Sequence, residues 1–303
     1  MKRVIFMGTP EYAEKILLAL IAAEDMEVVA VFTRPDKPVG RKKILTPPPV
    51  KVAAQEAGIE CYQPEKLRDS VDAVVAIACD FIVVAAYGQI LPKAILDHAP
   101  CINLHASVLP RYRGASPIQQ SLLNGDSETG VTAMLMDEGL DTGAILKIER
   151  TEIPQDMTAQ ELFETLTDIA VDLTLDVLRS FEHIDPVAQN DAEASYCKKI
   201  TKADGLVDFT MDATDIYNRY RAFIPWPGIF LENGLKLKKI ALVDKENTHD
   251  ATGKIIAIDK EGATVTCKRG SLKLLRVQPP SKKEVDVIGY LNGARRKVAD
   301  NFA

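Results

Sequence analysis

The sequence predicts an α/β domain built on a mainly parallel sheet, followed by a small antiparallel β-barrel. Three observations carry that prediction. Over the first ~185 residues short apolar runs alternate with helical patterns, as strands joined through helices require. Beyond a polar stretch the pattern changes to short strands separated by glycine turns, the spacing of a small barrel. At 303 residues the chain also exceeds a typical single domain.

The elements follow in order. Val4–Met7 is an apolar strand. Thr9-Pro10-Glu11 behind it is a helix start, with a capping hydroxyl, proline at the first helical position and an acid in the first turn. Gly8-Thr9-Pro10-Glu11 lacks the second and third glycines of a dinucleotide fingerprint, so NAD is disfavoured. Further strands are expected at Val28–Phe32, Ile82–Ala86, Cys101–Leu104, Val131–Met136 and Ala144–Ile148. Arg34–Lys43 carries five positive charges and precedes Pro47-Pro48-Pro49. It reads as a long loop without secondary structure, and its charge suits contact with a phosphate backbone.

Met157–His183 reads as a long amphipathic helix closing the first domain, and Ile184–Ile200 as a polar, irregular connector. A helix over Ala213–Phe223 leads to Pro225-Trp226-Pro227-Gly228, where the lone tryptophan is expected to pack at the domain junction. Strands follow at Leu235–Val243, Gly253–Asp259, Ala263–Lys268 and Leu272–Val277. The expected division is a first domain over 1–189, a linker over 190–206 and a second domain over 207–303.

Composition narrows the function classes. Apolar residues at 47% and charged residues at 26% describe an ordinary soluble globular chain and argue against disorder. With no signal-peptide pattern and no apolar stretch near roughly 18 residues, a cytoplasmic protein without membrane contact is expected. Five scattered cysteines, without a C-x-x-C pair, support neither a disulfide framework nor a zinc site. The net charge of −6 divides unevenly, −11 over residues 1–189 and +5 over 190–303. A polyanion could therefore meet the C-terminal part even though the whole is acidic.

The densest chemistry lies in Asn103-Leu-His105-Ala-Ser107-Val-Leu109-Pro110-Arg111-Tyr-Arg113-Gly114. Asn103 and His105 stand two residues apart, so on a strand their side chains leave from one face. Asp141 sits in the Gly-flanked turn Asp137-Glu-Gly-Leu-Asp141-Thr-Gly143, suited to returning toward that face. An amide, an imidazole and a carboxylate together can hold a developing oxyanion and manage a proton. The bland alternative is that all three satisfy backbone groups in turns. Arg111 and Arg113 beside Gly114 could likewise clamp an anion or be solvated loop charge.

Together these residues resemble the folate-dependent formyltransferases. The match runs through Asn103-x-His105-x-Ser107-x-Leu109-Pro110-x-Tyr112-Arg113-Gly114 and D-x-G-L-D-T-G around Asp141. Within that family it extends over nearly the whole chain to the branch acting on initiator methionyl-tRNA. Met7–Ala13, Phe32–Asp36, Gly40–Lys43, Val83–Pro92, Lys198–Gly205 and Arg221–Gly228 carry it.

The resemblance implies a Rossmann-like catalytic domain and an OB-like barrel. It also implies 10-formyltetrahydrofolate as donor, initiator methionyl-tRNA as acceptor and no metal; a monomer is expected. By position it makes Asn103, His105 and Asp141 catalytic. Ser107, Val108, Leu109 and Pro110 would contact the folate, with Tyr87, Gly88, Gln89, Ile90 and Leu91 bordering the same pocket. Arg34, Lys37, Arg41, Lys42 and Lys43 would meet the tRNA, Arg41 sensing its acceptor end. Two departures stand out: Lys42 where the family commonly has glycine, and Cys79 where proline is usual. The competing readings are an N-formyltransferase acting on a nucleotide-linked amino sugar and a non-catalytic folate- or RNA-binding protein.

Overall fold

The computed structural model describes residues 1–40 and 42–303. Its first sheet has seven strands. Lys2–Gly8 lies between Met26–Phe32 and Phe81–Ala85; Cys61–Tyr62 continues one side and Cys101–His105 the other, all parallel. Glu128–Leu135 and Ile145–Glu152 extend the Cys101–His105 side antiparallel. Val4, Ile5, Phe6 and Met7 are fully buried, which is why this strand reads as an unbroken apolar run rather than an alternating one. The helix Glu11–Ala22 buries Tyr12, Ala13, Ile16, Leu17 and Leu20, a single stripe at helical spacing. Leu166, Ala170, Leu173 and Val177 form the corresponding stripe of Ala159–Ser180.

Three local expectations are corrected. Pro10, not Thr9, stands at the helix N-cap, and the Thr9 hydroxyl instead donates to the Tyr87 carbonyl at 3.3 Å. The basic stretch is not structureless: Lys37–Val39 and Ile44–Thr46 pair antiparallel as a hairpin. A two-stranded ribbon has only edges, so Pro38 costs it no inner ladder bond. Pro49, read as part of that loop, opens the helix Pro49–Glu56, where a proline's missing N–H is no loss. The hairpin's base is tied down. Lys51 Nζ lies 2.9 Å from the Asp36 carboxylate, and Gln63 donates to Asp36 at 2.7 Å and to the Arg34 carbonyl at 2.9 Å. Gln63 and Lys51 together hold the Asp36 carboxyl below its ordinary value. Cys79 packs, partly buried, against the core cluster that includes Ile82 and Cys101.

The chain divides into two compact units. One comprises Met1–Pro117, Glu128–Glu152 and Phe163–Cys197; the other comprises Ile118–Ser127, Ile153–Leu162 and Lys198–Ala303. The second unit holds a six-stranded antiparallel, OB-like sheet. Its order is Ile229–Phe230, Lys236–Thr248, Arg269–Gln278, Ala263–Thr266 and Ile255–Ile258, with Val285–Asp286 also on Arg269–Gln278. Register shifts interrupt the long pairing of Lys236–Thr248 with Arg269–Gln278, and each adds twist. Leu237, Ile240, Leu272, Leu274 and Val277 fill the interior, and the helix Ala213–Ala222 packs on the sheet. Trp226 is 59% exposed, so the packing role expected of it is not found. Among the described residues no helix is long and apolar enough to cross a membrane.

Candidate active site

Asn103 and His105 fall at the carboxyl end of Cys101–His105, where open α/β sheets place their ligands. Asn103 pairs with Val84 on one side and Met134 on the other, and His105 with Thr132. Two residues apart, their side chains share a face. The Asn103 amide, half-buried, makes no hydrogen bond among the described residues. The His105 ring is 7% exposed and hydrogen-bonds through Nε2 to the Tyr112 carbonyl at 2.9 Å. A carbonyl only accepts, so Nε2 carries hydrogen.

The loop that returns Tyr112 to the ring is fixed from within. The Ser107 hydroxyl donates to the Arg111 carbonyl at 2.6 Å. Thr132 Oγ1 donates to the Ser107 carbonyl at 2.6 Å and accepts from the Leu109 N–H at 3.1 Å. The Leu109–Pro110 peptide is cis, and Tyr112 takes a left-handed φ of 60° with its N–H on Ser195 Oγ at 2.9 Å.

Asp141 reaches the same place from its own turn. Asp137 Oδ1 accepts from the Gly139 N–H at 2.9 Å and the Thr142 hydroxyl at 2.6 Å, pinning the turn's near side. At Gly143 an added Cβ would lie 1.6 Å from the Leu135 carbonyl oxygen, so only glycine fits. Asp141 itself has φ of 54°. Its Oδ2 accepts from the Gly114 N–H at 2.8 Å and stands 3.7 Å from His105 Nδ1. That gap exceeds a direct hydrogen bond. With Nε2 donating to the Tyr112 carbonyl, Nδ1 is the ring atom that faces the Asp141 carboxylate.

The expected site residues divide accordingly. The structure brings His105 and Asp141 together and sets Asn103 beside them on the strand. Ser107 and Leu109 are buried supports of the loop, and Val108 and Pro110 are half-buried. Tyr87 and Leu91 sit in the sheet's core cluster with Ile5, Met7 and Phe32, which leaves Gly88 and the 85%-exposed Ile90 facing outward. Burial pushes the Tyr87 phenol up to about 12. The Gln89 amide takes the Leu67 N–H at 2.8 Å and donates to the Pro64 carbonyl at 3.2 Å. Of the basic set, Lys37, Lys42 and Lys43 are exposed and Arg34 is half-buried; Arg41 lies outside the described residues. Among the described residues no group of His, Cys, Asp and Glu is placed to hold a metal ion.

Arg113 corrects the reading of a paired anion clamp. It is 1% exposed and spent internally, on Gln189 Oε1 at 3.0 and 2.8 Å and on Asp191 at 2.8 Å. Arg111 lies over the Tyr112 ring at 4.8 Å and donates to its hydroxyl at 2.6 Å. The sequence reading missed Gln189 and Ser195, both in the supposed irregular connector. Val187 in fact bridges to Ile145, and Tyr196–Cys197 pairs in parallel with Arg113–Gly114. The only signal for this was a cluster of polar side chains after an amphipathic helix.

The family model described as formyl transferase matches residues 1–178, and that for the formyl transferase C-terminal domain matches 199–295. A methionyl-tRNA formyltransferase of Sulfurimonas denitrificans is 57% identical over 303 residues, covering 99% of this chain and 100% of its own. One from Campylobacter jejuni strain RM1221 is 48% identical over 306 residues and covers both chains fully. Among solved structures, the sugar 3N-formyl transferase WlaRD, determined with dTDP and 5-N-formyl-THF, superposes with a TM-score of 0.69 at 18% identity. That match covers 93% of this chain and 99% of WlaRD. HypX from Aquifex aeolicus with tetrahydrofolic acid gives 0.61 at 14% identity, over 99% of this chain and 48% of HypX.

Proposed function

The chain belongs to the formyl transferase family, and on that premise we propose that it formylates the methionine of initiator methionyl-tRNA, with 10-formyltetrahydrofolate as donor. Full-length identity of 48–57% to methionyl-tRNA formyltransferases supports the acceptor. The observation that carries the chemistry is the convergence of His105 and Asp141, 3.7 Å apart, beside an Asn103 amide without a partner among the described residues.

In the proposed reaction the neutral methionyl amine attacks the formyl carbon. The new N–C bond forms as the carbonyl π pair moves onto oxygen, giving a tetrahedral oxyanion. Asn103 donates to that oxygen through its amide, and His105, as imidazolium, through Nδ1–H, since Nε2 is held by Tyr112. Asp141 takes the proton from the attacking nitrogen. The intermediate collapses with cleavage of the bond to N10 of the folate, which leaves with that proton. Val108, Pro110, Gly88 and Ile90 are proposed to meet the folate by surface, while Ser107, Leu109, Tyr87, Gln89 and Leu91 shape its pocket from behind.

The hairpin cations Lys37, Lys42 and Lys43, with Arg34 and Arg41, are proposed to meet the tRNA backbone. The division into 1–189, linker 190–206 and 207–303, a monomeric state and a cytoplasmic location complete the reading. Transfer of radiolabelled formyl from 10-formyltetrahydrofolate tests it, with initiator methionyl-tRNA, free methionine and a UDP-amino sugar as parallel acceptors. Label on the tRNA alone is expected. Label on the sugar alone keeps the chemistry and overturns the acceptor, and no label anywhere overturns the enzyme.

A further inference from the structure

We infer that Gln189 is a positioning residue for Asp141, so that the chain leaving the catalytic unit is part of the machinery that aims the catalytic carboxylate. The inference rests on the proposed function for its assay but on geometry for its substance.

Asp141 occupies a left-handed backbone conformation that a non-glycine residue adopts at a cost, and something must hold it there. Its carboxylate is fixed by the Gly114 N–H. Its backbone is fixed by Gln189 Nε2, which donates to the Asp141 carbonyl at 2.9 Å and the Gly143 carbonyl at 2.8 Å. One amide therefore ties together two carbonyls, Asp141 and Gly143, on the far side of the turn that presents the carboxylate.

The orientation of that amide is decided by chemistry. Gln189 Oε1 faces the Arg113 guanidinium, which only donates, at 3.0 and 2.8 Å. Its Nε2 faces two carbonyls, which only accept. A flipped amide would oppose donor to donor and acceptor to acceptor. The guanidinium, buried to 1% exposure, also polarises the amide and strengthens its two donated bonds. Arg113 in turn belongs to the segment that carries Gly114, so both of Asp141's restraints meet in the ribbon Arg113–Gly114 with Tyr196–Cys197.

Three variants test this: Gln189→Met, Gln189→Glu and Gln189→Met combined with Asp141→Asn. Gln189→Met keeps the volume and removes both donors. It is expected to lower kcat by roughly 10- to 100-fold, the usual cost of displacing a catalytic group through its support, with both KM values held within about twofold. Gln189→Glu offers Arg113 a better partner but sets an anion against two carbonyls, and it is expected to be the slower of the two. In the Asp141→Asn background, Gln189→Met is expected to add less than about twofold, because the lost carboxylate is what it positioned.

A readout free of substrate accompanies these rates. The Gly114 amide proton, donated to Asp141, should exchange about tenfold faster in Gln189→Met. Wild-type kcat in Gln189→Met, a Gln189→Glu enzyme faster than Gln189→Met, or fully additive losses would each overturn the inference. If Gln189→Met does not fold, Gln189→Glu, which retains Arg113's partner, carries both readouts. Faster Gly114 exchange with a wild type inactive on methionyl-tRNA would leave the tether standing and discard only the acceptor.

Discussion

Replacing Gly114 with alanine strikes the site where the Asp141 carboxylate is held. Gly114 has φ of 116°, and an added Cβ would stand 2.3 Å from the Cys197 carbonyl oxygen. Ordinary contact begins near 3.4 Å, so the ribbon must part by about 1 Å or the backbone must turn. Parting stretches Arg113 N to Ser195 O, now 2.8 Å, and Ala115 N to Cys197 O, now 3.1 Å. Each lost bond costs about 1 kcal/mol, and the left-handed strain adds roughly 1–3 kcal/mol. The variant should thus lose roughly 3–5 kcal/mol, a large share of the roughly 5–15 kcal/mol that stabilises a typical domain. The same movement carries away the N–H that holds Asp141 at 2.8 Å, and a displacement of about 1 Å at a catalytic group costs on the order of 10²-fold in rate. Urea unfolding gives the first quantity and kcat of the folded fraction the second. Stability within about 0.5 kcal/mol of wild type together with kcat within about twofold would refute the reasoning.

Other consequences are equally direct. Lys37→Ala and Lys43→Ala should each raise KM for methionyl-tRNA with little change in kcat, and each should flatten the salt dependence of KM by about one phosphate contact; an unchanged KM at low salt would remove the hairpin from the tRNA interface. The carboxyls of Asp25 and Asp259 are both drawn down to about 2, by hydrogen bonds from Arg179 and Lys273 respectively. A folded value below the ordinary one of about 3.9 means these bonds stabilise the protein above that pH and lose their effect as pH falls toward about 2. Melting temperature should therefore drop less steeply from about pH 4 to pH 2 in Asp25→Asn than in wild type, and parallel curves would show the Arg179 pair contributing nothing.

The parts of this fold that were legible in the sequence are those whose signal is local. Val4–Met7 and Phe81–Ala85 announce themselves because burial on both faces leaves only apolar residues. Asn103 and His105 could be put on one face because strand geometry alone decides it. The misses are places where a distant partner overrides a local rule. Thr9 has the right chemistry for a cap, but the Tyr87 carbonyl, 78 residues away, takes its hydroxyl. Lys37–Val39 and Ile44–Thr46 look like loop because a charged, proline-bearing ribbon with exposed Val39, Ile44 and Leu45 has no buried face to mark it. Arg113 resembles a ligand clamp by composition, yet Gln189 and Asp191, more than seventy residues on, consume it. The connector's polarity suggested solvent, whereas Gln189 and Ser195 spend their side chains on the loops that carry Asp141 and Tyr112.

The most direct test of the central claim is the single-turnover rate of formyl transfer to methionyl-tRNA by His105→Ala, with both substrates saturating. If His105 donates to the oxyanion through Nδ1 opposite Asp141, the rate should fall roughly 10²- to 10³-fold while substrate affinities stay close to wild type. A rate within about threefold of wild type would contradict the account and place the oxyanion stabilisation elsewhere.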